Sequence, residues 1–215
     1  AKKIQNELQF LNLKEDNSFL KDSKGVIHIG AHLGEERYLY DYYSNNVLWF
    51  EPIPSIYDEL NKNLKNFPNQ LAFNKLITDI DKKKYDFHIT NNYCSSSIYE
   101  IKLHEILWPE VKEINKITLK SITLDSFIYE KKIQINKYDT IVMDTQGSEL
   151  LVLKGAEKIL KNIKFIKTEA ADFESYEGCC QLKDIDDFLL KRGFTLISKK
   201  NLMTGEVGNY YDVVY

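Results

Sequence analysis

Apolar and polar positions follow two alternating patterns along most of this chain. Short apolar runs, typical of buried strands, are followed by segments whose apolar residues recur at helical spacing. The pattern predicts a strand at 26–29, a helix at 35–43, a strand at 47–50, a helix at 54–66 and a strand at 71–77. Strands that alternate with helices in this way favour a parallel sheet with right-handed crossovers.

The alternation breaks at about residues 84–128, a segment that we interpret as an insertion bordering a pocket. Two half-buried strands, 85–90 and 116–124, are predicted there, with a short helix near 98–107 between them. The pattern then resumes with a strand at 140–143, a helix at 148–160, a strand at 165–168 and a helix at 182–191. The last predicted strands, 194–198 and 210–215, can pair as a hairpin and add an antiparallel strand.

Length and composition favour one domain. The 215 residues are 43% hydrophobic and 28% charged, which suits a single α/β domain at residues 25–215. Residues 1–24 are predicted to form a helical lead-in, because Ile4, Leu8 and Leu11 follow a mixed helical spacing.

Charge and cysteine content restrict the partners and the compartment. The formal net charge of −3 gives no electrostatic motive for binding nucleic acid or a membrane surface. No apolar run reaches the length of a membrane span. Cys179 and Cys180 are adjacent and could pair only in a strained ring, while Cys94 has no evident partner. We therefore expect a cytoplasmic protein, and its oligomeric state is not readable from the sequence.

A glycine loop follows the first predicted strand. Gly30 and Gly34 permit a tight turn and a close approach of a ligand, and the helix predicted from Glu35 directs free N–H groups to the same place. Glu51 ends the next strand, where a carboxylate can accept hydrogen bonds from two ribose hydroxyls. The alternative is a plain strand-to-helix turn, but the acid at the strand end favours a nucleoside pocket.

Polar residues occur at the ends of every predicted parallel strand. Because ligands of open parallel sheets bind at the carboxyl ends of strands, these residues are candidate site residues. Acids are costly in a core, so a shared ligand explains several of them better than chance does. The alternative for each is a helix cap, above all for Asp79 and Asp172. The candidates are His28, His32, Glu51, Asp79, Asp144, Glu169 and Asp172.

Several motifs resemble the FkbM-type S-adenosylmethionine-dependent methyltransferases. The motifs are Ile29-Gly30-Ala31-His32-Leu33-Gly34, Phe50-Glu51-Pro52, Asn91-Asn92 with Ser95-Ser96-Ser97, Ile122-Thr123-Leu124-Asp125, and Met143-Asp144-Thr145-Gln146-Gly147-Ser148-Glu149 followed by Leu153-Lys154-Gly155-Ala156. The resemblance implies a Rossmann-like, seven-stranded, mostly parallel sheet with helices on both faces. It also implies O-methylation of a sugar, a polyketide or a similar metabolite, with S-adenosylhomocysteine as the second product.

The resemblance places the methyl donor at the glycine loop and Glu51. The donor contacts that it predicts are His28, Gly30, Ala31, His32, Gly34, Glu35, Glu51, Pro52, Asp79 and Asp144. His28 departs from the family pattern, because such enzymes usually have an acid there that orients the amino group of the methionine moiety. A neutral histidine can still accept a hydrogen bond, but the ionic attraction is lost, so donor affinity is weaker or Glu35 compensates.

Methyl transfer to an alcohol needs alignment and a proton acceptor. Asp144 is the strongest candidate base, and His32, Glu169 and Asp172 are the others. Ser96 and Ser97 either contact the acceptor or form a polar turn, and Glu169 is also a candidate acceptor contact. Asp144, Glu169 and Asp172 could instead bind Mg²⁺, but no ligand spacing requires it, so catalysis without a metal is expected.

Two other functions compete with this prediction. A nicotinamide-dependent oxidoreductase would use a similar ribose pocket, but the third glycine of its motif is absent and no length remains for a catalytic domain. A non-catalytic nucleoside-binding module could be distinguished only by turnover. The expected partner is a small-molecule or carbohydrate acceptor, and neither nucleic acid nor a membrane.

Overall fold

A computed structural model of the protein describes Lys14 and residues 17–215. Most of the predicted lead-in at residues 1–24 lies outside the described residues. The described part of it contains a short 3₁₀ helix, Ser18–Asp22, directly before the first strand. None of the helices within these described residues combines the length and apolar character that crossing a membrane requires.

Ten strands and six α-helices follow. The strands are β1 Gly25–Ile29, β2 Asn46–Phe50, β3 Gln70–Phe73, β4 Leu76–Ile77, β5 Lys84–Thr90, β6 Glu113–Ile122, β7 Thr140–Met143, β8 Phe165–Ala171, β9 Ser198–Gly205 and β10 Gly208–Val214. The helices are α1 Arg37–Tyr42, α2 Pro54–Asn63, α3 His104–Leu107, α4 Leu124–Glu130, α5 Glu149–Lys154 and α6 Leu182–Leu190.

The central sheet has seven strands in the order β3-β2-β1-β7-β8-β10-β9. Within this sheet, β3, β2, β1, β7 and β8 pair in parallel with one another in that order. β10 runs antiparallel to both β8 and β9. The predicted fold class is therefore confirmed, including the antiparallel C-terminal strand. The order reverses between β1 and β7, which places the carboxyl ends of these two strands at the usual ligand site of such sheets.

Helices cover both faces of the sheet because alternate residues of each strand point to opposite sides. Ile27 and Ile29 of β1 belong to the larger buried cluster, which includes residues of α4, α5 and α6. Val26 belongs to a second buried cluster with residues of α1 and α2. The candidate site described below lies at the edge of the sheet where the carboxyl ends of the parallel strands meet the ends of both helical layers.

One predicted strand, 71–77, is in fact two strands in two sheets. β3 belongs to the central sheet, whereas β4 pairs with β6 in a smaller sheet of order β4-β6-β5. The chain leaves the central sheet at Asn74, whose side-chain amide donates to the backbone oxygens of Glu51 (2.9 Å) and Pro52 (3.0 Å). These two hydrogen bonds fix the chain at the point where it leaves the central sheet, and the sequence pattern does not reveal them.

Other predicted boundaries are wrong for local reasons. The helix predicted at 148–160 ends after Lys154, and a 3₁₀ helix, Ile159–Asn162, follows. The strand predicted at 165–168 extends to Ala171 because β10 pairs along it. The hairpin at the C-terminus is confirmed, but its first strand is β9 and not residues 194–198.

Candidate active site

Gly30 lies where the carboxyl ends of β1 and β7 meet. Its φ is 84°, and a Cβ at this position would lie 1.8 Å from the backbone oxygen of Asp144. The N–H groups of Gly30 and Ala31 both donate to the backbone oxygen of Phe50 at 3.0 Å. The loop is therefore fixed against the ends of β2 and β7, and only glycine fits this position.

Gly34, the other glycine of the predicted loop, has a different role. A Cβ there would lie 2.7 Å from Cδ1 of Leu60, so the missing side chain lets α2 pack against the loop. Gly34 does not line either cavity described below. The helix after the loop begins at Arg37, two residues later than predicted.

Glu51 is buried at the end of β2, with 5% of its surface exposed. Its Oε2 accepts the backbone N–H of His32 at 2.9 Å, and its Oε1 accepts the backbone N–H of Ile53 at 2.8 Å. Burial raises the pKa of Glu51 to about 7, although these two hydrogen bonds oppose the shift. The side chain is a preorganised acceptor that still has lone pairs for a ligand.

An inner cavity opens beside Glu51 and beneath the smaller sheet. Its wall combines Gly30, His32, Glu51, Pro52, Ser96 and Asp144 with an apolar set, Phe50, Ile53, Leu76, Ile77 and Phe87. An apolar slot with a carboxylate at one side suits a nucleoside, whose base is flat and whose ribose presents two hydroxyls. Phe87, Tyr93, Cys94 and Ser96, all within residues 84–128, contribute to this wall.

An outer cavity of about 470 Å³ adjoins the inner one. The two cavities share Gly30, His32, Cys94 and Asp144. The rest of the outer wall includes the polar and charged side chains of His28, Glu35, Glu36, Lys167, Glu169 and Asp212. A ligand with a nucleoside at one end and a charged group at the other can span both cavities.

Asp144 ends β7 at the junction of the cavities. Its Oδ1 accepts the side-chain N–H of Gln146 at 2.6 Å. Burial raises the pKa of Asp144, and the nearby carboxylate of Glu149 raises it further. Burial likewise raises the pKa of Glu169, with Asp144 as the next cause. The site therefore contains carboxyl groups that exchange protons much closer to neutral pH than isolated ones do.

The histidines of the first strand and loop differ in charge. The thiol of Cys94 and the carboxylate of Glu35, 2.7 Å from Nδ1, raise the pKa of His32 well above its ordinary value. A protonated His32 has no free electron pair for a base, so the structure does not favour that predicted role. Burial lowers the pKa of His28, whose Nδ1 lies 2.9 Å from the hydroxyl of Tyr40. The neutral ring replaces the usual acid without its charge.

Besides Gly34, three predicted site residues lie away from the cavities: Asp172, Asp79 and Ser97. Asp172 follows β8, where its exposed carboxylate accepts N–H groups of Asn209 at 2.7 and 3.0 Å and the hydroxyl of Tyr211 at 3.1 Å. It holds the β9–β10 hairpin and is not brought to Asp144 and Glu169, so the three do not form the magnesium site considered above. Among the described residues, no cluster of three or more His, Cys, Asp and Glu side chains is arranged for a metal.

Asp79 and Ser97 also have other surroundings. Asp79 lies beside Gly155, because the turn at Asn74 moves this part of the chain into the smaller sheet. Ser97 donates its hydroxyl to the backbone oxygen of Gln146 at 2.7 Å and does not line the cavities. Of the two predicted serines, only Ser96 reaches the inner cavity.

Sequence reasoning missed Gln146 and Tyr176. The Tyr176 hydroxyl lies 2.7 Å from Oε1 of Gln146, so the two side chains connect the loop after β8 to Asp144. Gln146 has a φ of 52°, unusual for a residue other than glycine. Its place two residues after Asp144 in the quoted motif was the available signal, whereas nothing in the sequence links Tyr176 to it.

The strand order and the paired cavities at the carboxyl ends of β1, β2 and β7 define a class I methyltransferase architecture. Residues 28–196 match the family described as the methyltransferase FkbM domain. The chain therefore belongs to the FkbM methyltransferase family, as its motifs predicted, and S-adenosylmethionine is its methyl donor.

Two similar proteins add detail. The 2-O-methyltransferase NoeI of Sinorhizobium fredii (strain NBRC 101917 / NGR234) is 29% identical over 173 residues, which cover 76% of this chain and 70% of NoeI. An uncharacterized protein of Listeria monocytogenes serotype 4b has a similar structure, with a TM-score of 0.50 and 11% identity. That match covers 94% of this chain and 65% of the Listeria chain, and it concerns the fold alone.

Proposed function

We propose that this methyltransferase transfers a methyl group to a hydroxyl oxygen of a sugar or a similar polyhydroxylated small molecule. The observation that carries the proposal is the position of Asp144, a carboxyl group in the wall of both cavities with a raised pKa. The similarity to a 2-O-methyltransferase supports oxygen as the methylated atom.

The residues fit S-adenosylmethionine with its nucleoside in the inner cavity and its methionine end in the outer cavity. Glu51 would accept the ribose hydroxyls, and Phe50, Ile77 and Phe87 would enclose the adenine in the inner cavity. The methionine end would then extend past Gly30 into the outer cavity, where the protonated His32 can attract its carboxylate. Bound there, the donor supplies a methyl group that a sulfonium has already activated.

Asp144 is the proposed proton acceptor. An alcohol is a poor nucleophile at neutral pH unless a base takes its proton as the new bond forms. A carboxyl group whose pKa is raised by burial is a stronger base than a solvated one, and Asp144 keeps Oδ2 clear of the bond to Gln146. Glu169, which also lines the outer cavity, would accept a hydrogen bond from a neighbouring hydroxyl of the acceptor.

An acceptor screen with isotopically labelled donor tests this function. The panel contains neutral mono- and oligosaccharides, hydroxylated polyketides, and amines as acceptors of another class, with product linkage read by mass spectrometry. We expect label on a hydroxyl oxygen of a polyhydroxylated acceptor. Transfer only to nitrogen or carbon would contradict the proposal, and binding of NAD in place of S-adenosylhomocysteine would favour the oxidoreductase alternative.

A further inference from the structure

The hydroxyl of Tyr176 has more acceptors than protons. It lies 2.7 Å from Oε1 of Gln146 and 3.1 Å from the backbone oxygen of Ser95, both of which are hydrogen-bond acceptors. Burial raises the pKa of Tyr176 well above its ordinary range, so the hydroxyl keeps its proton at all relevant pH values. One proton can satisfy only one of these acceptors well at a time.

The side-chain amide of Gln146 stands between this hydroxyl and Asp144. Its Nε2 donates to Oδ1 of Asp144 at 2.6 Å, and its Oε1 faces Tyr176. The backbone is fixed separately, because the oxygen of Gln146 accepts the hydroxyl of Ser97 at 2.7 Å. A half-turn about the last side-chain bond therefore exchanges the amide oxygen and nitrogen and leaves the backbone in place.

The two amide orientations match the two protonation states of Asp144. When Asp144 is a carboxylate, Nε2 of Gln146 donates to it and Tyr176 donates to Oε1. When Asp144 carries a proton, the carboxylic acid can donate to Oε1, Nε2 can donate to the Tyr176 oxygen, and Tyr176 can donate to the Ser95 carbonyl. In the second state the Tyr176 hydroxyl both accepts and donates a hydrogen bond, and the backbone oxygen of Ser95, 3.1 Å away, is its acceptor.

We propose that Gln146 is a positioning residue whose amide reverses when Asp144 takes up a proton, so that Gln146, Tyr176 and Ser95 stabilise the base in both states. The inference rests on the proposed role of Asp144. During transfer the acceptor O–H bond breaks and an O–CH₃ bond forms, while the S–CH₃ bond breaks and its electron pair stays on sulfur. The hydroxyl proton moves to Asp144, which later releases it to solvent.

The charged groups around Asp144 favour its protonated form, so hydrogen bonds that stabilise Asp144 in both protonation states are useful. The carboxyl groups that act on it come from several elements: Glu149 of α5, Glu36 before α1, Asp212 of β10 and Glu169 of β8. All of them favour the protonated form. Lys167 lowers the pKa of the neighbouring Glu169 and is paired with Asp212 at 2.9 Å, and His32, Glu35 and Cys94 lie in the same outer wall. A fixed amide donor would favour only the carboxylate, whereas a reversing amide also accommodates the proton that transfer delivers.

Nuclear magnetic resonance on the S-adenosylhomocysteine complex tests the reversal without an acceptor. The ¹³C signal of the Asp144 carboxyl, assigned by its loss in Asp144→Asn, is titrated together with the ¹⁵N side-chain amide signal of Gln146. We expect both signals to change with one common midpoint. Gln146→Leu should raise the Asp144 midpoint by about half to one pH unit, because a charged hydrogen bond is lost.

Tyr176→Phe distinguishes a reversing amide from a fixed one. A reversing amide loses one hydrogen bond in the carboxylate state and two in the protonated state, so the Asp144 midpoint should stay unchanged or fall by up to about 0.7 units, and it should not rise. A fixed amide loses support only for the carboxylate, so a raised midpoint in Tyr176→Phe would overturn the proposal. An amide signal of Gln146 that does not change across the Asp144 titration would overturn it as well.

Matched controls are the same substitutions at exposed positions, Gln134→Leu and Tyr129→Phe, which should leave the Asp144 midpoint unchanged. Unfolding temperatures of all variants identify any loss of folding. Because no acceptor is present, failure of the reversal and failure of the proposed function are observed in separate experiments.

Discussion

The carboxylate of Glu51, at the end of β2, accepts the backbone N–H of His32 at 2.9 Å, and His32 lies in the loop that joins β1 to α1. Its second oxygen accepts the N–H of Ile53 at the start of α2. One buried side chain thus connects two loops and faces the inner cavity. A ligand at Glu51 meets an acceptor whose orientation was fixed during folding, which lowers the entropic cost of binding.

Glu51→Ala should weaken S-adenosylhomocysteine binding by about 30- to 150-fold, which corresponds to roughly 2 to 3 kcal/mol. The substitution removes the ribose acceptor and releases the His32 loop. Glu51→Gln, which keeps the shape but replaces one acceptor oxygen by a donor, should cost about 10-fold. Calorimetry measures both, with Glu59→Ala as the control because Glu59 forms an exposed ion pair with Lys62. Unchanged affinity in Glu51→Ala would remove Glu51 from the donor site.

Donor affinity should depend on pH through Glu51. Its pKa is raised from 4.5 to about 7, so Glu51 stabilises the free protein below pH 4.5 and that contribution is lost as the pH rises through 7. Ribose hydroxyls bind the carboxylate better than the acid, so affinity for S-adenosylhomocysteine should increase through the same range. The comparison of wild type with Glu51→Gln between pH 6 and pH 8 isolates this effect, and identical pH profiles would contradict it.

Gly30→Ala should prevent folding or destabilise the protein by more than about 4 kcal/mol, because its Cβ would lie 1.8 Å from a backbone oxygen. Gly193→Ala is the matched control: its φ of 86° is similar, but no atom lies within 4 Å of the added Cβ. That variant should cost only about 1 kcal/mol. Denaturant unfolding provides the comparison, and similar losses in both variants would show that the contact with Asp144 is unimportant.

The sequence predicted the parts of the site that depend on strand order. Gly30, Glu51 and Asp144 lie where neighbouring strands of the sheet end, and parallel pairing brings such positions together. It did not predict the position of Asp79, because the chain leaves the central sheet at Asn74, where two side-chain hydrogen bonds fix it. Contacts between distant segments, such as Tyr176 with Gln146, leave no periodic pattern in the sequence.

Asp172 is another residue whose position the sequence pattern did not predict. The strand predicted at 165–168 would have ended near Glu169, but pairing with β10 extends β8 to Ala171 and carries Asp172 to the hairpin. A strand pattern locates an element better than its end, since the end depends on the partner strand.

Asp172→Ala should therefore affect stability more than chemistry. The loss of its bonds to Asn209 and Tyr211 should cost about 1 to 2 kcal/mol of unfolding free energy. The single-turnover rate of methyl transfer, measured well below the unfolding temperature, should stay within about 3-fold of the wild-type rate. A rate loss of 100-fold without unfolding would restore Asp172 as a candidate base.

The single-turnover rate of Asp144→Asn against pH tests the central claim most directly. Asparagine keeps the shape of the side chain but cannot take the acceptor proton, so the rate should fall by about 100-fold or more while affinity for S-adenosylhomocysteine stays within a few-fold. In wild type the rate should rise with pH as Asp144 loses its proton, at a pH above the usual range of an aspartate because burial raises its pKa. This rise should be absent in Asp144→Asn. A variant that matches the wild-type rate and pH profile would contradict the assignment of Asp144 as the base.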